Sequence, residues 1–296
     1  MPDTPPPAPL NIAALDTMPE AAFMAAFGNL FEHSPWIMAQ TAAARPYGNA
    51  RALHNAAMAA IRSAPPDAQL ALIRAHPELA GQEAAAHSLT ADSTSEQARL
   101  GFTCLTQAEH AELASLNAQY RARFAFPCIV ALARHQSRDT VYQAFRTRMT
   151  ADPATERATA ITEIGHVTEA RLTARLGRTR GGLTLHALDT TKGGGAPNLA
   201  FQLSRNEAGT WRPLTSGATN AEGRTDTPVL APLDMEPGQY RIEYHVADYH
   251  RAQGIELPDP PFLDIVPIQF GIADATSHHH VPLQFTPWTY ATYRGS

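Results

Sequence analysis

Leu176-Gly177-Arg178-Thr179-Arg180-Gly181-Gly182-Leu183-Thr184-Leu185-His186-Ala187-Leu188 is where this chain changes its hydrophobic period. Up to Leu176, apolar residues recur three and four apart, the spacing of one helix face. After the polar, glycine-rich run 176–182 they recur every second residue, the spacing of a half-buried strand. A change of period across a flexible linker predicts two domains of different class.

Upstream, Thr17-x-x-Glu20 reads as a capping box. Phe23, Phe27, Leu30 and Phe31 then fall on one helix face. Ser34-Pro35 reads as an N-cap followed by proline at the first helical position. Asn49 precedes Leu53, Ala57, Ala60 and Ile61. Thr106-x-x-Glu109 opens a helix with Leu113, Leu116 and Tyr120 on a stripe, Ser137 one with Val141, Phe145 and Met149, and Asp152-Pro153 one with Ile161, Ile164 and Leu172 inward. An all-helical domain over 12–175 follows, with residues 1–11 as a flexible proline-rich lead.

Downstream, Leu183, Leu185 and Ala187 alternate with Thr184, His186 and Leu188. Leu199, Phe201 and Leu203 repeat the pattern, as do Tyr240, Ile242, Tyr244 and Val246, then Val266, Ile268 and Phe270. In His278-His279-His280-Val281-Pro282-Leu283, residues His279, Val281, Leu283 and Phe285 point one way and His278, His280 and Gln284 the other. Pro287-Trp288 reads as a turn. Short alternating strands with regular turns predict an all-β sandwich over 183–296, joined by a linker at 176–182.

The whole chain excludes several functions. At 296 residues, 44% hydrophobic and 17% charged, it buries a substantial core. A formal charge of -5 with scattered arginines offers no stripe for a nucleic-acid backbone. No apolar run is long enough to span a membrane, and the first residues lack a signal peptide's basic and apolar regions, so a cytoplasmic protein is expected. Cys104 and Cys128 are too few for a disulfide framework or zinc knuckle and read as reduced, buried residues.

Taken singly, most chemically capable side chains have a plainer reading. A lone strand histidine such as His186 is usually solvated, and an arginine after a glycine turn, as in Asn220-Ala221-Glu222-Gly223-Arg224, is usually surface. Three consecutive histidines suggest a solvated strand or a purification tag. Here they run into a clean apolar alternation and then into Tyr293-Arg294-Gly295-Ser296. In the helical half, Pro77 biases His76 away from helical geometry, so His76 should end the helix of Leu70 and Ile73 and project from a break. His76 alone could be a C-terminal cap, and Ser93-x-x-Glu96 a capping box.

Jointly these segments say more. His280-Val281-Pro282 through Tyr293-Arg294-Gly295-Ser296, with His186 in His-x-Leu-Asp and Arg224 in Asn-Ala-x-Gly-Arg, resembles the transthyretin-like 5-hydroxyisourate hydrolases. The resemblance implies a transthyretin-like sandwich with His186, Arg224, His280 and Ser296 as the catalytic set and Tyr293, Arg294 and Gly295 against the substrate. Opening a cyclic acyl-amide needs a base for water, a stabiliser of the oxyanion and groups to hold a flat polar ring. Imidazoles supply base and acid near neutral pH, and a guanidinium fork matches paired carbonyls. The sequence leaves open which histidine is the base. His279 stands where that family usually has tyrosine, and Gly195 where proline is common.

Ala75-His76-Pro77-Glu78-Leu79-Ala80, Ser93-Thr94-Ser95-Glu96-Gln97 and Phe124-Ala125-Phe126-Pro127-Cys128-Ile129 together resemble 2-oxo-4-hydroxy-4-carboxy-5-ureidoimidazoline (OHCU) decarboxylase over nearly the whole helical half. That resemblance implies His76 as proton donor or acceptor and Glu96 as its carboxylate partner. Pro77, Ser93, Gln97, Phe124, Phe126, Pro127 and Ile129 would line the substrate. Ala125 replaces the usual glycine and Cys128 the usual phenylalanine. Together the two resemblances imply consecutive steps from 5-hydroxyisourate through OHCU to (S)-allantoin, without cofactor or metal. They also imply a homo-oligomer, a tetramer through the sandwich, that requires Ser296 as the last residue. Two rivals are a carrier-like binding module on a helical scaffold and a zinc-dependent cyclic amidohydrolase using His278 and His280.

Overall fold

A computed structural model describes residues 12–81 and 89–295; the lead expected at 1–11 and the terminal Ser296 lie outside the described residues. The described chain forms two compact units that part between Arg175 and Leu176. The first is helical: α1 (Ile12–Thr17), α2 (Glu20–Phe27), α3 (Pro35–Ala42), α4 (Ala50–Ser63), α5 (Pro66–Arg74), α6 (Ala91–Arg99), α7 (Gln107–Phe124), α8 (Arg138–Arg148) and α9 (Pro153–Arg175). Phe23, Phe27, Phe31, Leu53, Ile61, Tyr120, Phe145, Ile164 and Leu172 are buried in this unit.

Several caps form as their chemistry dictates. The Asn49 side chain accepts the Ala52 N–H at the start of α4, Thr106 and Glu109 close a reciprocal box on α7, and Ser137 accepts from Thr140 on α8. Others do not. Thr17 ends α1 and donates to the Ala14 carbonyl, while α2 starts after Pro19 without a side-chain cap. Leu30 and Phe31 are buried beyond the end of α2, not on its face. Ser34 precedes Pro35 as read, yet makes no side-chain cap bond. Thr90 caps α6 by accepting from the Ser93 N–H, which moves Ser93 inside the helix. Cys128 is buried, but Cys104 is exposed.

The second unit is built from two four-stranded sheets. One has the order β2-β1-β7-β8: β1 (Gly182–Asp189), β2 (Gly194–Gly195), β7 (His278–Phe285) and β8 (Tyr290–Thr292). The other has the order β4-β3-β5-β6: β3 (Ala200–Glu207), β4 (Thr210–Ala218), β5 (Gly238–His245) and β6 (Ile265–Ile272). All pairs are antiparallel except β1 and β7. Leu183, Leu185 and Ala187 of β1 and Val281, Leu283 and Phe285 of β7 join one core with Phe201, Leu203, Ile242, Tyr244 and Val266 of the facing sheet.

Period-two geometry therefore sends Thr184 and His186 to the outer face, with His278 and His280 of the neighbouring strand. Parallel register pairs Thr184 with His280 and Leu183 with His279. The alternation read through Val246 stops at His245, because Val246–Ala252 forms a short helix, α10, whose Val246, Ala247 and Tyr249 are buried. Strand β4 escaped the sequence reading because it is a sheet edge exposed along almost its whole length, which leaves no apolar alternation to detect.

Candidate active sites

In the helical unit α5 ends at Arg74, and His76 sits in the following turn, buried, with Pro77 after it. Its Nδ1–H donates to the Leu72 carbonyl at 2.9 Å, so Nε2 carries the lone pair. Nε2 is buried and has no partner among the described residues. It belongs to a cleft lined by His76, Pro77, Leu79, Ser93, Glu96, Gln97, Cys128, Ile129, Val130, Leu132, Val167 and Arg171. Burial pushes the His76 imidazole down from 6.5 to about 4, with the Arg171 charge acting in the same direction, so the ring is neutral near pH 7.

The expected His76–Glu96 pairing is absent. Arg171, from the inward face of α9, donates Nε–H to Glu96 Oε1 at 2.8 Å and Nη2–H to Oε2 at 2.9 Å, a fork that occupies both carboxylate oxygens. Arg171 also reaches Ser93 Oγ at 3.2 Å and Glu32 Oε2 at 3.5 Å. Glu32 is buried and accepts the hydroxyl protons of Thr90 and Ser93. Burial pushes the Glu32 carboxyl up, but those bonds and the Arg171 charge outweigh it and hold it below its ordinary value. The site is thus an imidazole facing one guanidinium shared by two carboxylates.

Of the other residues expected here, Ser93, Gln97, Pro77 and Ile129 line the cleft. Gln97 spends its amide on backbone, accepting the Ala80 N–H and donating to the Glu78 carbonyl. Phe124 and Phe126 instead pack with Tyr120 in an aromatic cluster, and Pro127 lies outside the lining. The wall itself, Cys128 to Leu132, is fixed from behind. Arg148 binds the Ile129 carbonyl and the buried Glu156, and Glu163 accepts the Ala131 N–H at 2.7 Å. The cavity holds about 40 Å³, room for water but not for a substituted ring, so a ligand must also occupy the cleft mouth. A larger hollow of about 640 Å³ shares Glu32 as part of its wall with His33, Ser34, Asp92 and Arg175.

Arg171 and Glu32 were missed by the sequence reading. The signal was present for one of them: Arg171 falls seven residues after Ile164 and four after Val167 on the buried stripe of α9, where a charge demands a partner. Glu32 follows a buried Phe31 in an irregular turn, where no period marks it.

In the sandwich unit, the His186 and His280 rings lie with centroids 6.3 Å apart. Isolated bridges bring Arg224 beside His186 and Gly295 beside His280. Asn220 Oδ1 accepts the backbone N–H groups of Glu222 and Arg224 at 3.0 Å, which shapes the turn that presents Arg224. Burial pushes both histidines below 6.5, and the Arg224 charge adds to the shift at each. Gly295 donates its N–H to the His280 carbonyl, and an added Cβ there would lie 2.6 Å from His280 Cδ2, so only glycine permits this approach. Gly195 is similarly confined, an added Cβ falling 2.3 Å from the Glu222 carbonyl oxygen.

Tyr293 and Arg294 are exposed, and Ser296 lies outside the described residues. Thr184, which the sequence reading passed over, places its hydroxyl 2.9 Å from His280 Nδ1 and 3.0 Å from His278 Nε2. Among the described residues no group of three or more His, Cys, Asp or Glu side chains is placed to hold a metal ion, and no helix is long and apolar enough to cross a membrane.

Comparison with known proteins gives each unit a family. Residues 16–173 match the family model of OHCU decarboxylase, and residues 183–295 that of the HIUase/transthyretin family. The 5-hydroxyisourate hydrolase of Deinococcus radiodurans is 45% identical over 115 residues, 39% of this chain and 96% of that protein. The 2-oxo-4-hydroxy-4-carboxy-5-ureidoimidazoline decarboxylase of Mus musculus is 36% identical over 168 residues, 57% of this chain and 94% of that protein. A solved structure described as (S)-allantoin synthase aligns over 97% of this chain and 100% of its own, at 29% identity and a TM-score of 0.48.

Proposed function

Since the chain belongs to the OHCU decarboxylase family through residues 16–173 and to the HIUase/transthyretin family through residues 183–295, we propose that it carries out two successive steps of urate degradation. The sandwich hydrolyses 5-hydroxyisourate to OHCU, and the helical unit decarboxylates OHCU to (S)-allantoin. One observation carries the reading: each unit gathers imidazole and a guanidinium at a single site.

In the sandwich, one of His186 and His280 accepts a proton from water as it attacks the ring acyl carbon. The guanidinium of Arg224 holds the carbonyl oxygen as it becomes an oxyanion. The second imidazole returns a proton to the departing ring nitrogen. Ser296 hydrogen-bonds the substrate, and Tyr293, Arg294 and Gly295 complete its enclosure where subunits meet in a tetramer. A cytoplasmic location belongs to the same proposal.

In the helical cleft, His76 works from the lone pair at Nε2, because Nδ1–H is committed to the Leu72 carbonyl. It accepts the proton of the substrate's 4-hydroxyl while Arg171, kept in place by its fork on Glu96, exchanges its long contacts to Glu32 and the Leu30 carbonyl for the leaving carboxylate. As carbon dioxide leaves, its bonding pair moves into the adjacent imine or carbonyl, whose nitrogen or oxygen takes up a proton from solvent, and no cofactor is needed. The same imidazole returns its proton to one face of the planar carbon and sets the (S) configuration.

The test is to feed enzymatically generated 5-hydroxyisourate and follow the loss of both intermediates with the optical activity of the allantoin formed. Rapid conversion to the (S) enantiomer is expected. Racemic allantoin at the spontaneous rate would overturn the reading.

A further inference from the structure

Thr184 has one hydroxyl proton and two imidazole neighbours. Its Oγ1 lies 2.9 Å from Nδ1 of His280 and 3.0 Å from Nε2 of His278, and the parallel register of β1 and β7 puts all three side chains on the same sheet face. Turned toward either ring, the hydroxyl donates to that ring and must accept from the other if both bonds form. If Nε2 of His278 carries hydrogen and donates, the hydroxyl points at His280 Nδ1, and the proton of a neutral His280 then sits on Nε2. If His280 Nδ1 donates, the hydroxyl points at His278, and the free nitrogen of His280 is a lone pair. The two states of His280 are an acid and a base.

His278 is exposed, whereas His280 is partly buried between Gly295 and the His186 ring. We propose that His278, acting through Thr184, is a positioning residue that sets which nitrogen of His280 holds the proton and exchanges that proton with solvent. The proposal rests on the sandwich being the hydrolase.

The proton balance closes without any further reagent. His280 Nε2 takes a proton from the attacking water, and its Nδ1–H passes to Thr184 Oγ1. The threonine's own proton moves to His278 Nε2, and His278 releases its Nδ1 proton to bulk water. Thr184 ends with the hydroxyl it began with, turned toward the opposite ring. With His186 as the base and His280 as the acid, the same sequence run backwards carries a proton from solvent to the departing nitrogen.

Other titratable groups bear on this array from each side. His186 of β1 and Arg224 of the 220–224 turn act on His280. Asp274, in the turn before β7, accepts from the Thr276 and Ser277 hydroxyls. His279 points to the opposite face and bonds the Ser277 carbonyl. Any of them can move a pH profile, so the decisive readout is relief by a diffusible proton carrier.

The experiment measures 5-hydroxyisourate hydrolysis by the full chain and its His278→Ala, Thr184→Val and Thr184→Ser variants, in weak buffer and with added imidazole, across pH. Both His278→Ala and Thr184→Val are expected to lose about tenfold in kcat at low buffer with KM held, a loss within the range of acid–base assistance. Imidazole should restore His278→Ala, whose missing ring was exposed, but not Thr184→Val. Thr184→Ser should keep the wild-type rate. A His278→Ala enzyme at full speed in weak buffer overturns the proposal. So does a loss that imidazole fails to relieve. If Thr184→Val does not fold, His278→Ala decides alone. Should the wild type itself fail to hydrolyse 5-hydroxyisourate, the hydrolase reading falls first; an inactive His186→Ala beside an unimpaired His278→Ala sinks the relay alone.

Discussion

At the scale of single residues, His76 is defined by what its two nitrogens do: one is tied to backbone and the other is left bare in a cleft. His76→Ala should therefore slow decarboxylation by at least about a hundredfold. Hydrolysis should continue, so OHCU accumulates, observable by following both species after adding 5-hydroxyisourate. Unchanged formation of (S)-allantoin above the spontaneous background would remove His76 from the site. The pH dependence has a definite sign. With the folded value lowered from 6.5 to about 4, the active neutral form persists below the ordinary histidine range, and the acid limb of decarboxylation should fall toward pH 4. Unfolded chain binds more protons between those values, so the stability that neutral burial contributes is full above 6.5 and is lost as pH falls through the folded value. A limb centred at 6.5 would contradict the burial argument.

At the scale of elements, α9 carries the charge that organises the decarboxylase cleft. Arg171→Met should strand the buried Glu32 and unclamp Glu96, at a cost of about 3 kcal/mol. Calorimetry should show the helical unit melting earlier while the sandwich transition stays in place; a shift of both would refute a local role. Where α7 ends, Ala125 adopts φ 60°, a left-handed conformation that an alanine enters with strain. Ala125→Gly is expected to raise helical-unit stability by about 1 kcal/mol, and a lower melting point would count against it.

The same elements show what the sequence could and could not disclose. Asn49, Thr106 and Ser137 announced their helices because a polar cap followed by an apolar stripe has few other meanings. Thr17 and Ser93 offered the same local pattern, but Pro19 and Thr90 lay nearer the helix starts. His186 and His280 could be phased to the outer face from alternation alone. Their link through Thr184 could not, since it depends on β1 and β7 lying parallel across almost a hundred residues of sequence. The partner of Glu96 was hidden for the same reason: Arg171 lies 75 positions away.

At the scale of the whole molecule, the proposed tetramer makes the C-terminal tetrapeptide a shared component, which fits the exposure of Tyr293 and Arg294 in the single chain. Residues added after Ser296 should push bulk into the hydrolase site, and residues added before Met1 should not. Hydrolysis should drop with the C-terminal extension while decarboxylation holds. Equal hydrolysis by the two tagged forms, or full activity in a monomer by light scattering, would dismiss the shared site. Between Arg175, the last residue of α9, and Gly182, the first of β1, only six residues intervene. Because that connection is covalent, the gene for this chain cannot supply more of one catalyst than of the other, and neither its promoter strength nor its copy number can correct a mismatch between them. Any imbalance that lets the middle compound build up has to be removed by changing a turnover number, so selection on this protein acts on the ratio of two rates.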